Sequence, residues 1–136
     1  MNIQLGQPGR KNRAFNIRID DFDVWSLDDT LANIIHPALI RLKSRVKHFG
    51  YPTPYEETDL FAQHDIQGSF DFVDWDAESK YWESLWKERL DKMIDAFDLI
   101  KRKFDLDHCT TDWDDYGRRV DEGLELFSKH YEHLWD

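Results

Sequence analysis

The residues in this chain that could do chemistry are carboxylates, histidines and one thiol. Asp105, Asp107, Cys109, Thr111 and Trp113 stand at alternate positions, the rhythm of a calcium loop. An EF-hand loop needs Gly at its sixth place for the sharp turn and Glu at its twelfth as a bidentate ligand. Those places hold Thr110 and Tyr116, so these acids read as a solvated, helix-capping loop. His130 and His133 fall three apart on one helical face, but a zinc site wants further ligands that no spacing here specifies, and the pair reads as two surface histidines. Asp91, Asp95 and Asp98 could set carboxylates side by side for magnesium. No paired double-Glu motif accompanies them, and they lie off the apolar stripe, so a solvated face explains them better. Cys109 follows His108, yet neighbours in sequence do not make a nucleophile and its base. No phosphate-cradling Gly loop, dinucleotide fingerprint or G-x-S-x-G elbow is present. Nothing assembles nucleophile, base and orienter. No catalytic residue, metal ligand or cofactor is expected, and the chain reads more readily as a non-enzyme.

The stronger signal is the density of rings beside polar groups. Trp25 precedes Ser26 and Asp28 at a helix start, Trp82 and Trp86 lie one turn apart, and so do Tyr131 and Trp135. Trp and Tyr are costly to bury without partners for N–H and O–H, and they are enriched at interfaces. Two readings stand side by side: core for a bundle short of Leu, or a stacking surface for a ligand. On the second reading the ligand residues are Trp25, Ser26, Asp28 and Thr30 at the helix start, Trp86 and Tyr131 as stacking partners, and Arg18 as a phosphate contact. A helix start offers free N–H groups to an anion, although Asp28 and Asp29 oppose it.

The elements that must position these residues are mainly helical. Residues 1–13 read as a flexible, locally basic arm, and 14–136 as a single helical domain. Phe15, Ile17 and Ile19 alternate with Asn16 and Arg18, a short strand over 14–19. Such a strand has to pair with a second strand, pair with another subunit or lie extended on helices. Ser26 caps a first helix that runs to about His48, with Leu27, Leu31, Ile34, Ile35, Ala38, Leu39, Leu42, Val46 and Phe49 as its apolar stripe and Gly50 as its stop. Pro37 predicts a kink inside it. Residues 51–75 read as a long loop with one helical turn near Glu56–Gln63. A second helix spans about 76–104, supported by the Glu83–Lys87 and Glu88–Lys92 pairs one turn apart. A third runs from near Asp114 to the C-terminus. The fold class is therefore mainly α, a three-helix bundle-like single domain with a short N-terminal strand or extended segment.

Composition bounds the partners. The 136 residues include 18 Lys and Arg against 28 Asp and Glu, a formal net charge of −10. That disfavours nucleic-acid polymers, which are held by bases neutralising phosphates, and an anionic membrane surface. With 15% aromatic residues, six of them Trp, the acidity does not signal disorder. Cys109 is the single cysteine, so no internal disulfide forms, which suits a reducing compartment. The N-terminus carries no apolar secretory region, and no apolar run approaches the roughly 20 residues of a membrane span. A soluble, intracellular protein is expected. Its bases gather in the N-terminal arm, at the end of the first helix (Arg41, Lys43, Arg45, Lys47) and at the end of the second. A small anionic ligand thus stays open if its pocket borrows those local bases.

The stretch Asp23-Val-Trp25-Ser26-Leu-Asp28-Asp-Thr30-Leu31-Ala32-Asn-Ile34-Ile35-His-Pro37 resembles the opening motif of a family of small proteins of tailed bacteriophages. The likeness continues in Gly50-Tyr-Pro52, in Leu90-Asp-Lys-Met93-Ile94-Asp-Ala96-Phe97 and in the ending from Gly123 to Asp136, covering most of the chain after the arm. Family members usually carry an acid where Lys92 stands, so that position bears no functional weight. The resemblance implies phage origin and expression in the host cytoplasm; it implies no activity.

Three functions follow as expectations. The first is a non-enzymatic phage accessory binding protein, in concrete form a counter-defence sponge that sequesters a small nucleotide signal of the host. The second is an acidic protein-interaction module, either a virion component or an inhibitor of a basic host protein. The third is a metal-dependent hydrolase on the His and Asp clusters. A homo-oligomer is expected as well, because pairing across a twofold axis would satisfy the edge of the N-terminal strand.

Overall fold

The structure, a computed structural model, describes residues 1–5, 15–49 and 75–135. Two strands open the chain. Asn2–Leu5 (β1) pairs antiparallel with Phe15–Arg18 (β2), with Asn2 opposite Arg18 and Ile3 opposite Ile17. The strand read from the alternation of Phe15 to Ile19 thus finds its partner in the first residues, which had read as part of a flexible arm. The physical reason is that β2 cannot satisfy its own backbone, and the chain's own start supplies the missing groups. Each strand of this two-stranded sheet still presents one outer edge.

A one-and-a-half-turn helix follows, Asp21–Trp25 (α1). It is short enough to need strong capping, and it has it. The Asp20 carboxylate accepts the N–H of Phe22 and Asp23, while Asp23 reaches back to the N–H of Asp20, the reciprocal arrangement of a capping box. The terminal ammonium of Met1 pairs with Asp23 at 2.9 Å, and Thr30 Oγ1 donates to the Asp23 carbonyl at 2.8 Å. These bonds tie the strand pair, α1 and the next helix together.

That next helix, Leu27–Phe49 (α2), is continuous through Pro37. Trp75–Lys101 (α3) ends in a 3₁₀ turn at Lys103–Asp105, a little before the expected end at Phe104. Trp113–Lys129 (α4) is capped by Asp112, whose carboxylate accepts the N–H of Asp114 and Asp115 at 3.1 Å. The expected run of α-helix to the C-terminus stops there, and Tyr131–His133 tightens into a 3₁₀ turn, a common way to satisfy the last carbonyls of a helix. Of the loop read over 51–75, Trp75 instead opens α3, and the rest, with its helical turn, lies outside the described residues.

Ion pairs fix the order of the helices. Asp28 with Lys103 and Lys43 with Asp91 set α2 antiparallel to α3. Arg119 with Asp95 and Lys92 with Glu122 set α4 antiparallel to α3 on another side. The three long helices therefore run up, down and up, with α3 in the middle; α2 and α4 each pack on α3 and scarcely on one another. The core lies along α3, where Trp86, Leu90, Met93 and Phe97 meet Ala32, Leu39 and Val46 of α2. Each of the larger aliphatic side chains buried here contributes about 1.5–3 kcal/mol. The α3–α4 seam is closer still. A Cβ on Gly123 would fall 2.3 Å from that of Ala96 and 2.5 Å from the Lys92 carbonyl. Glycine lets these two backbones approach. Among the described residues no helix is long and apolar enough to cross a membrane.

Candidate functional site

Because α3 covers only one face of α2, part of the α2 apolar stripe is left over. Ala32, Leu39 and Val46 point into the core. The next row round the helix, Ile34, Ala38, Arg41 and Arg45, recurs at steps of four, three and four, which keeps it on one side. That row forms one wall of a groove, with Ile35, Leu39 and Leu42 toward its base. Phe127 of α4 and Leu134 beyond it form the opposite wall. The groove exists because α2 and α4 stand apart on either side of α3. Its volume is about 450 Å³, within the range of about 300–1,000 Å³ usual for small-ligand clefts.

The lining is apolar except for Arg41 and Arg45, one helical turn apart. Most bases of the helices, Arg45 included, have a partner. Lys43 pairs with Asp91, Lys87 with Glu83, Lys92 with Glu122, Arg102 with Asp98, and Arg118 and Arg119 with Asp115. Among the described residues Arg41 makes no ion pair. A guanidinium is always charged and presents a planar fork of donors that matches phosphate or carboxylate. The described lining thus combines apolar side chains with a guanidinium fork at the rim.

The residues chosen from the sequence fall in two places. At the end where α2 begins and α3 finishes, Trp25 is 81% exposed and stacks on Phe22 at 6.3 Å. Ser26 donates its hydroxyl to Asp28 at 3.1 Å, rather than accepting an N–H as an N-cap would. Asp28 also pairs with Lys103 at 3.8 Å. Although partial desolvation pushes its pKa up, the Asp29 N–H, the Ser26 hydroxyl and Lys103 hold it below the ordinary value of 3.8. Thr30 is spent on the Asp23 carbonyl. Arg18 ends β2, opposite Asn2. These groups mostly satisfy one another.

Trp86 is elsewhere. It lies about 22 Å from Lys101 at the helical rise of about 1.5 Å per residue. It is 1% exposed and meets the His130 ring edge-on at 5.5 Å, while Tyr131 is exposed on the same turn as His130. Trp86 is core, so stacking on a ligand is corrected to packing on a histidine. His130 itself is buried, which corrects its reading as a surface residue. The seven residues do not form one site. Among the described residues no group of three or more His, Cys, Asp or Glu is gathered to hold a metal ion.

Sequence reasoning missed Ile34, Ala38, Arg41 and Phe127 as a set. The signal was present in α2, whose apolar stripe is wider than one neighbour can cover and turns basic at its C-terminal end. Comparison with protein-family models, with curated proteins and with solved structures finds no match to this chain.

Proposed function

We propose that this chain is a non-enzymatic binding protein that holds a small anionic ligand in the groove between α2 and α4. The observation that carries the reading is the position of Arg41 and Arg45 on the rim of an otherwise apolar 450 Å³ cleft, in a chain whose net charge is −10. In so acidic a protein, two bases brought to the mouth of an apolar cleft favour a ligand of opposite sign. A nucleotide fits that chemistry, with its base against Phe127 and the leucines and its phosphate on the guanidinium fork. The resemblance to small tailed-phage proteins supplies a setting: an accessory protein in the host cytoplasm that sequesters a nucleotide signal of host defence.

Calorimetric titration with cyclic mono- and dinucleotides and with ADP-ribose tests this. The expected result is saturable binding at one site per groove for at least one of them. Absence of heat with every one of these ligands overturns the nucleotide reading.

A further inference from the structure

The groove leaves unexplained the most exposed large apolar side chains among the described residues. On α1, Phe22 and Trp25 are 79% and 81% exposed and stack at 6.3 Å with planes 27° apart. Val24 beside them is exposed, as are Leu27 and Leu31 one turn apart on α2. Rings of this size are seldom left in water in adjacent positions, and contiguous apolar patches of this kind mark interaction sites. Nor is α1 a frayed end. The Asp20–Asp23 capping box, the Met1 ammonium on Asp23 and the Thr30 hydroxyl on the Asp23 carbonyl fasten it on three sides. The two rings are thus presented on a fixed frame, which lowers the ordering cost of using them as anchors.

The charge beside the rings says what they anchor. Asp20 and Asp21 open α1 and Asp28 and Asp29 open α2. Among the described residues of the strand pair, α1 and the start of α2, Arg18 stands against these four carboxylates, joined by Lys103, which lies 3.8 Å from Asp28. Negative charge is in excess among them, and an aromatic face attracts cations in its own right. We propose that the Phe22–Trp25 face of α1 is a docking surface for a basic amphipathic segment of another protein, with apolar side chains on the rings and Lys or Arg on the surrounding aspartates. This surface is separate from the α2–α4 groove, and its occupant has the opposite sign.

Fluorescence anisotropy with two labelled helical peptides of equal length tests the proposal, one of Leu and Lys and one of Leu and Glu, against the full chain and the double variant Phe22→Ala/Trp25→Ala. The Leu/Lys peptide is expected to bind the native chain, and to bind the double variant on the order of tenfold more weakly, since anchor rings carry most of such an interface. The Leu/Glu peptide is expected not to bind. Asp21→Asn/Asp29→Asn is expected to weaken binding and flatten its salt dependence. Because both rings are exposed, unchanged circular dichroism confirms that the double variant folds. Equal binding of the Leu/Lys peptide to native chain and double variant overturns the proposal. So does sedimentation showing a native dimer that the double variant abolishes, since the face then belongs to a second copy.

Discussion

Phe127 stands edge-on to Phe97 across the α3–α4 seam, with ring centroids 5.0 Å apart and planes at 76°, and the same side chain walls the groove. The edge-to-face contact fixes the ring, so the groove wall is held by the core rather than by the ligand. Stability and binding are therefore joined at this residue. Phe127→Ala is expected to cost about 3 kcal/mol in urea unfolding and to weaken ligand binding in a chain that still folds at low temperature.

Gly123 and Gly117 lie on the same helix in opposite situations. At Gly123 an added methyl meets Ala96 and the Lys92 carbonyl, whereas at Gly117 nothing lies within 4 Å. Gly123→Ala is expected to destabilise by about 2 kcal/mol, because a backbone carbonyl cannot step aside. Gly117→Ala is expected to stabilise by about 0.5–1 kcal/mol, the ordinary helix preference of Ala over Gly. Thermal unfolding of the two variants measured together checks the pair.

Trp86 and Trp25 make a second contrast. Among the described residues the Trp86 indole N–H has no hydrogen-bond partner, so the ring contributes through packing. Trp86→Ala is expected to cost about 3–5 kcal/mol, and Trp25→Ala to stay within about 0.5 kcal/mol. Urea unfolding followed by circular dichroism separates them. A large loss at Trp25 would place it in the core after all.

How far the sequence reached can be judged from these residues. The three long helices were legible because their apolar positions recur every three to four residues, and α3 emerged nearly to its ends; α1, held by its capping box rather than by an apolar stripe, was not. The β1 strand was not legible, since Asn2–Leu5 has no alternation strong enough to stand without its partner. Trp86 and Trp25 looked alike in sequence, each a ring near polar groups. The packing of α2 and of His130 on α3 buries one, while the other stands exposed on α1. The groove escaped for the same reason: its walls come from separate elements, α2 on one side and Phe127 with Leu134 on the other.

Stability is expected to fall in acid. The Met1 ammonium holds the Asp23 carboxyl below its ordinary value of 3.8, the Arg118 side chain does the same for Asp115, and Lys92 holds Glu122 below 4.5. A carboxylate with a lowered folded-state pKa binds fewer protons folded than unfolded, so its contribution is whole above about pH 5 and drains away as pH falls through 4.5 and 3.8 toward the folded values. Glu122 in turn raises Lys92 above 10.5, a contribution present below that pH and lost as pH rises through the raised value. Urea midpoints are expected to drop between pH 4.5 and 3, with a smaller drop in Glu122→Gln.

The groove is tested most directly by filling it. Ala38 lines the groove wall and lies outside the buried core, so Ala38→Trp plugs the cleft with little effect on folding. In calorimetric titration with the nucleotide that the native chain binds, Ala38→Trp is expected to abolish binding and Arg41→Ala to weaken it on the order of tenfold, the loss of one charge-assisted contact of about 1.5–3 kcal/mol. Nucleotide affinity unchanged in both variants would contradict the groove as the binding site.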